Sequence, residues 1–173
     1  NEYKRPGFKE DFMLDCNAVF EGEMSAYRFV TGLITPITNK LEIAEIESAI
    51  ETPHDPVGEH LRRSLELLSD RKTPDYRNSV KESVSAVESL ARIVTKADKA
   101  TLGQLLGKIE EKVDLHPALK NAFSNLYGYA SDEEGVRHSL IEAVRVDFHD
   151  AKFMLVACSA FVNFVEGKMQ NGA

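Results

Sequence analysis

Cysteine is scarce in this chain. Cys16 and Cys158 are too few for a disulfide framework, and no secretory hydrophobic region opens the sequence. A cytoplasmic location is the expectation. Long hydrophobic runs are also missing. The longest, from Phe153 to Val162, is too short to cross a bilayer, so it reads as a central buried helix and no membrane partner is expected. Cys158 lies inside that run and reads as buried filler rather than as a nucleophile. There is no Cys-x-x-Cys, no His-Glu-x-x-His and no Ca²⁺-loop spacing, so no metal site is expected, and His54 and His60 would share a site only by accident of folding. A Gly-rich phosphate loop is absent, which removes a P-loop nucleotide-hydrolysing reading; no cofactor is expected. No nucleophile elbow is visible.

Positive charge is also in deficit. The formal net charge is −7, so no whole-molecule field draws the protein to nucleic acid or to an anionic membrane. The average conceals a contrast, because residues 71–108 carry eight Lys/Arg against four Asp/Glu while both flanking regions are acidic. A polyanion would bind at this basic island. The 173 residues, 43% of them apolar and 28% charged, suit a single folded domain over 1–173 with a real core. Because it begins at Asn1 without Met, the chain also reads as a piece of something longer, with a companion domain missing.

Hydrophobic periodicity organises the chain around the stretch from Thr73 onward. Thr73 is a candidate N-cap, Pro74 suits the first helical position, and Asp75 suits the positive end of the helix dipole. Val80, Val84, Val87, Ala91 and Val94 then recur at steps of four and three, a core-facing stripe running to about Thr95. Ser79, Ser83 and Ala86 beside it are small enough to admit a neighbouring helix. Asn78, Glu82, Ser85 and Ser89 form the solvated face. Arg77, Asn78 and Glu82 are candidates for the rim of a cleft; the plainer reading is a core helix with a polar shoulder.

Other elements follow the same logic. Residues 7–22 read as a helix with Phe8, Phe12, Leu14, Val19 and Phe20 on a mixed apolar face. Aromatic and β-branched residues around Thr31-Gly32 predict one small β-hairpin near residues 27–37, with Pro36 limiting its second arm. Asn39 and Glu42 have capping-box spacing and open a helix through about Ile50. Asp55 as N-cap and Pro56 as first residue open the next, carrying Val57, Leu61, Leu65 and Leu68 inward. Thr101 and Gln104 cap a helix bearing Leu102, Leu105, Leu106 and Ile109. His116-Pro117 starts another, with Leu119, Phe123 and Leu126 inward, and His116 needs no role beyond the cap. Ser131 and Glu134 again have capping-box spacing. A final helix, about 148–167, is apolar over most of its surface and belongs in the middle of the bundle.

Chemistry-bearing residues concentrate in two places. Arg137-His138 falls close to Tyr127 and Tyr129, and Arg77-Asn78 opens the long helix. An Arg holds phosphate through its planar fork of donors, and a His moves protons near neutral pH. Together they could cleave RNA without a metal, with one group activating the ribose 2′-hydroxyl and another protonating the leaving oxygen. The competing reading pairs Arg137 with Asp132, Glu133 or Glu134 and packs His138 on a tyrosine.

Pro74-Asp75-Tyr76-Arg77-Asn78-Ser79-Val80-Lys81-Glu82-Ser83, Leu126-Tyr127-Gly128-Tyr129, Gly135-Val136-Arg137-His138 and Cys158-Ser159-Ala160-Phe161-Val162-Asn163 resemble bacterial proteins with AbiJ-like N-terminal domains. Those belong to the HEPN superfamily and are associated with abortive infection against phage. The Tyr27–Ile37 segment with the acidic helix after it is also similar to that group. The resemblance implies a mainly α, HEPN-like helical bundle, often a homodimer. In active members it implies a metal-independent RNase with an Arg, a polar residue after it, and a His with four to six residues between it and the Arg. Arg137 stands in the Arg place and His138 in the polar place, but Glu142, Ala143 and Val144 stand where the motif His falls. Arg145 and His149 have three residues between them. Arg77-Asn78 starts the motif as well, with Glu82, Ser83 and Val84 in the His positions.

The expectation is therefore a HEPN-like domain of a phage-defence or toxin–antitoxin type system. On the enzyme reading, Arg137 and His138 are catalytic, while Arg77, Asn78, Glu82, Tyr127 and Tyr129 bind substrate. On the alternative reading the domain is non-catalytic, and binds a partner protein, a nucleotide or RNA, or serves only dimerisation or sensing for a missing domain.

Overall fold

The computed structural model describes residues 7–97, 100–131 and 146–171. Within them the chain is mainly α, in the order α1 (Phe8–Gly22), β1 (Arg28–Val30), β2 (Leu33–Thr35), α2 (Lys40–Ile50), α3 (Asp55–Ser69), α4 (Tyr76–Thr95), α5 (Leu102–Val113), α6 (Pro117–Ser131) and α7 (Phe148–Asn171). The expected small hairpin is present. Val30 pairs with Leu33 across Thr31-Gly32, whose φ values of 47° and 91° give the doubly left-handed turn that matches strand twist. Pro36 follows the last paired residue, Thr35.

α4 and α7 form the centre. α4 packs against α3 on one side and α7 on the other, while α2 covers a second side of α7. The stripe read from the sequence is the buried one: Val80, Val84, Val87, Ala91 and Val94 all lie in the core, facing Leu61, Leu65 and Leu68 of α3 and Met154, Leu155, Phe161 and Val162 of α7. Burial of such a contiguous apolar set is the main favourable contribution to the fold. The small residues beside the stripe also behave as expected. Ser79 and Ser83 are fully buried, and Ser64 of α3 meets both at 3.0 and 2.7 Å. Ser64 Oγ also donates to Ser79 O at 2.9 Å, and Ser79 Oγ donates to Ser64 O at 2.9 Å. Small hydroxyls that satisfy one another let α3 and α4 approach closely without stranding a buried polar group.

Helix starts hold two corrections. The N-cap of α4 is Asp75 rather than Thr73: its carboxylate accepts the Asn78 N–H at 3.0 Å, while the Thr73 N–H turns back to Asp70 at 2.9 Å. α3 begins one residue earlier than expected, with His54 as N-cap and Asp55 already helical, because the His54 carbonyl accepts the Val57 N–H at 2.9 Å. By contrast, Asn39 caps α2, the Thr101–Gln104 capping box closes in both directions, and His116 Nδ1 accepts the Ala118 N–H at 3.1 Å. Glu42 completes no box; it reaches Lys152 of α7 at 2.9 Å instead.

Three apolar expectations are altered. Leu119 is 36% exposed, because the whole first turn of α6 lies beyond the packed surface. The face-forming residues of α1 are not core: none of its residues is buried, and Phe12, Leu14 and Val19 are 52, 68 and 62% exposed. α1 is held mainly by the hairpin, through Asn17, which donates to Phe29 O and accepts the Phe29 N–H at 2.9 and 2.7 Å, and through Phe20 stacked on the Phe29 ring at 6.0 Å. α7 is longer than the apolar run that announced it, and by length and composition it could span a bilayer. Here it packs on α2, α3 and α4 along one side, yet leaves Phe153 56% exposed on the other.

Candidate functional site

The close α3–α4 approach sets the geometry of a polar groove. With the buried Ser64, Ser79 and Ser83 drawing the helices together, the outer shoulders of the two face each other across a short gap. His60 of α3 and Glu82 of α4 meet there, with Nδ1 and Oε2 2.7 Å apart and each side chain about one-third exposed (36 and 32%). Glu59, Arg62, Arg63 and Glu66 complete the lining of a groove of 480 Å³. Arg63 pairs with Glu66 at 3.0 Å. A carboxylate on Nδ1 fixes the ring and presents the other ring nitrogen to whatever enters, an arrangement suited to hydrogen bonding or proton transfer. The two arginines suit a phosphate or carboxylate.

Of the residues expected to bind substrate, Glu82 alone faces this groove. Asn78 is engaged at the helix start, its amide donating to Asp75 Oδ2 at 2.6 Å and its carbonyl accepting from Lys81 at 3.3 Å. Arg77 is exposed on the first turn of α4. Tyr127 packs into the core, lining a small apolar gap of 20 Å³ with Val84, Val87, Phe123, Met154 and Cys158. Tyr129 donates to Asp150 Oδ1 at 3.3 Å at the start of α7, and burial first, then the Asp150 charge, raise its phenol pKa above the ordinary range. The expected cleft is therefore divided into a helix cap, a core contact and a groove. Arg137 and His138, together with the Ser131–Glu134 capping pair, lie outside the described residues.

His60, Arg62 and Arg63 were not legible as a site. Their only sequence signal is the Glu59, His60, Arg62, Arg63, Glu66 spacing, a polar face on α3 opposite Leu61, Leu65 and Leu68. Nothing in the sequence says that Glu82 would face it. His54 is the N-cap residue of α3, where its backbone carbonyl accepts the Val57 N–H and its side chain makes no cap hydrogen bond. Among the described residues, no group of three or more His, Cys, Asp or Glu is placed to hold a metal ion.

A second hollow, 780 Å³, opens between α1, the hairpin and α2. Met13, Leu14 and Ala18 line it from α1, and Ile43, Ala44 and Glu47 from α2. Lys40 ties its far end to Glu21 at 2.8 Å, which holds the Glu21 carboxyl below its usual range. Arg28 is nearly buried beneath it and donates to the carbonyls of Ser25 and Tyr27 at 2.8 and 2.7 Å. The hollow is a slot of mixed lining, with Lys9, Glu10, Glu47, Glu51 and Arg62 beside its apolar residues, and it is roofed by a helix that buries none of its own residues.

Comparison with curated proteins and with solved structures gives no match. Residues 1–52, which take in α1, the hairpin and α2, match the family described as AbiJ N-terminal domain 4.

Proposed function

We propose that the chain is a HEPN-like domain of a bacterial abortive-infection or toxin–antitoxin type system, acting in the cytoplasm as a binding module. The family match supports the abortive-infection setting. The observation that carries the binding reading is α1, a fifteen-residue helix with aromatic and aliphatic side chains and no buried residue. A helix of that composition is ordinarily covered. It also belongs to the part of the chain that the family shares, beside the slot of mixed polar and apolar lining. A partner protein or companion domain docking on α1 and the slot would complete that surface. The test is phage plating efficiency on cells carrying the natural full-length protein. Phe12→Glu/Val19→Glu should lose protection while the purified chain keeps its helical content and melting temperature; undiminished protection contradicts the proposal.

A second reading, metal-independent RNA cleavage, is favoured by the His60–Glu82 pair lying in an open groove with two arginines. On that reading the imidazole transfers protons and an arginine holds phosphate, alongside or in place of Arg137 and His138.

A further inference from the structure

Resting on the binding reading of α1 and the slot, we propose that the partner inserts an extended segment, which adds a third strand to the outer edge of β1. Val30 and Leu33 flank the two-residue turn and so form the bonded pair of the hairpin. At Phe29, one residue back, both backbone groups therefore point away from β2. Tyr27 and Thr31, two residues to either side, come next along that edge. Side chains, not a neighbouring strand, satisfy it. Asn17 of α1 copies the pairing of a strand, accepting the Phe29 N–H at 2.7 Å and donating to Phe29 O at 2.9 Å. The Tyr27 N–H donates to Ser25 Oγ at 3.2 Å, Tyr27 O accepts from Arg28 Nη1 at 2.7 Å, and the Thr31 N–H donates to Glu47 Oε1 at 3.4 Å. Each of these side chains can turn aside, and the amides of an added strand replace its bond. The edge of β2 offers no such run, because Pro36 lacks an N–H.

The slot selects an extended occupant. Arg28, Phe29 and Thr31 form one wall of it, and Asn17 and Glu47, which hold the edge, stand beside them in the lining. The opening of 780 Å³ therefore runs along the strand edge. Mixed lining suits a strand, whose alternate side chains turn to opposite sides. A bound helix would keep its amides to itself and leave the edge unused. α1 offers little resistance, since none of its residues is buried and its tie across the slot, Glu21 to Lys40, is an exposed pair of small worth. A two-stranded hairpin is itself marginal, and a third strand strengthens it.

Random peptides displayed on yeast and selected against the purified chain supply the probe, and a recovered peptide is then synthesised. N-methylation of alternate peptide residues should weaken binding about tenfold or more in one of the two registers, by removing ladder donors, and far less in the other. Asn17→Ala should tighten binding severalfold, because the competing carboxamide is gone. In that variant the Phe29 amide should exchange fast when free and slowly with peptide bound. Glu47→Ala should also tighten binding, and serves if the first variant loosens α1. A library that yields no binder overturns the proposal. So does a peptide indifferent to N-methylation in both registers, or one weakened by the Asn17 and Glu47 changes. Where one of these results stands and Phe12→Glu/Val19→Glu still abolishes phage protection, docking on α1 survives and only the strand is lost.

Discussion

At the residue scale, single groups carry separable consequences. Cys158 is fully buried, and desolvation of its thiolate pushes the thiol up to about 12. Cys16 is half-exposed on α1. A thiol reagent at pH 8 should therefore modify one cysteine in the native protein, identified as Cys16 by peptide mapping, and both after denaturation; rapid native labelling of Cys158 would contradict its placement. Gly58 is required for space. A Cβ there would stand 2.7 Å from the Ile50 carbonyl oxygen, where α2 hands over to α3. Backbone cannot yield as a flexible side chain does, so Gly58→Ala should cost about 1–3 kcal/mol in denaturant unfolding, as overpacking does. No loss of stability would mean that the two helices are looser than they stand. Ser64 is the third case. Ser64→Ala removes the hydroxyl that meets Ser79 and Ser83 and should cost about 0.5–1.5 kcal/mol, the net worth of a hydrogen bond, because Ser79 Oγ keeps the Ser64 carbonyl and Ser83 Oγ keeps the Ser79 carbonyl as acceptors. That Ser79 and Ser83 mark a close approach was readable from their place beside the valine stripe, but the Ser64 partner was not, since nothing local distinguishes it from a solvated serine.

At the scale of elements, the helix starts respond to acid. Asp147 caps α7, accepting the N–H groups of His149 and Asp150 at 2.8 and 3.2 Å, and these bonds hold its carboxyl below the ordinary range. Asp70 is lowered likewise by the N–H groups of Thr73 and Lys72 in the loop before α4. A carboxyl with a folded pKa below its unfolded one stabilises the fold above the unfolded value, near 3.8, and that contribution is lost as pH falls through the folded value. Both elements should therefore hold at neutral pH and fray as pH falls below about 4. Amide exchange at His149, Asp150 and Thr73 that accelerates there, with the response at His149 and Asp150 reduced in Asp147→Asn, is the expected result; pH-independent protection would contradict the capping account. Most elements were legible because periodicity and caps are local signals. The hairpin came from β-branched residues around Thr31-Gly32, and α4 from its valines. The cap of α4 was misplaced because Thr73, Pro74 and Asp75 compete over three positions, and the Asp70 turn, which is not visible as a pattern, decides the outcome. Leu119 was misplaced because inward spacing says nothing about where the neighbouring helix ends.

At the scale of the whole molecule, two surfaces stand apart from the core: α1 with its slot, and the side of α7 that carries Phe153. Neither was legible as a surface, because apolar residues at helical spacing read as core whether or not another element arrives to cover them. The polar groove was half legible. Glu82 was singled out from its place on the solvated face of α4, but His60 comes from a different helix, and only the tertiary approach of α3 unites them. The central claim is that this chain acts by binding rather than by cutting RNA. It is tested most directly by incubating purified wild type, Arg137→Ala, His138→Ala and His60→Gln with bulk tRNA and mRNA in EDTA. The account predicts that wild type leaves the RNA as intact as the three variants do, even at high protein concentration. Cleavage by wild type that is lost in any of those variants would contradict it and establish the enzyme.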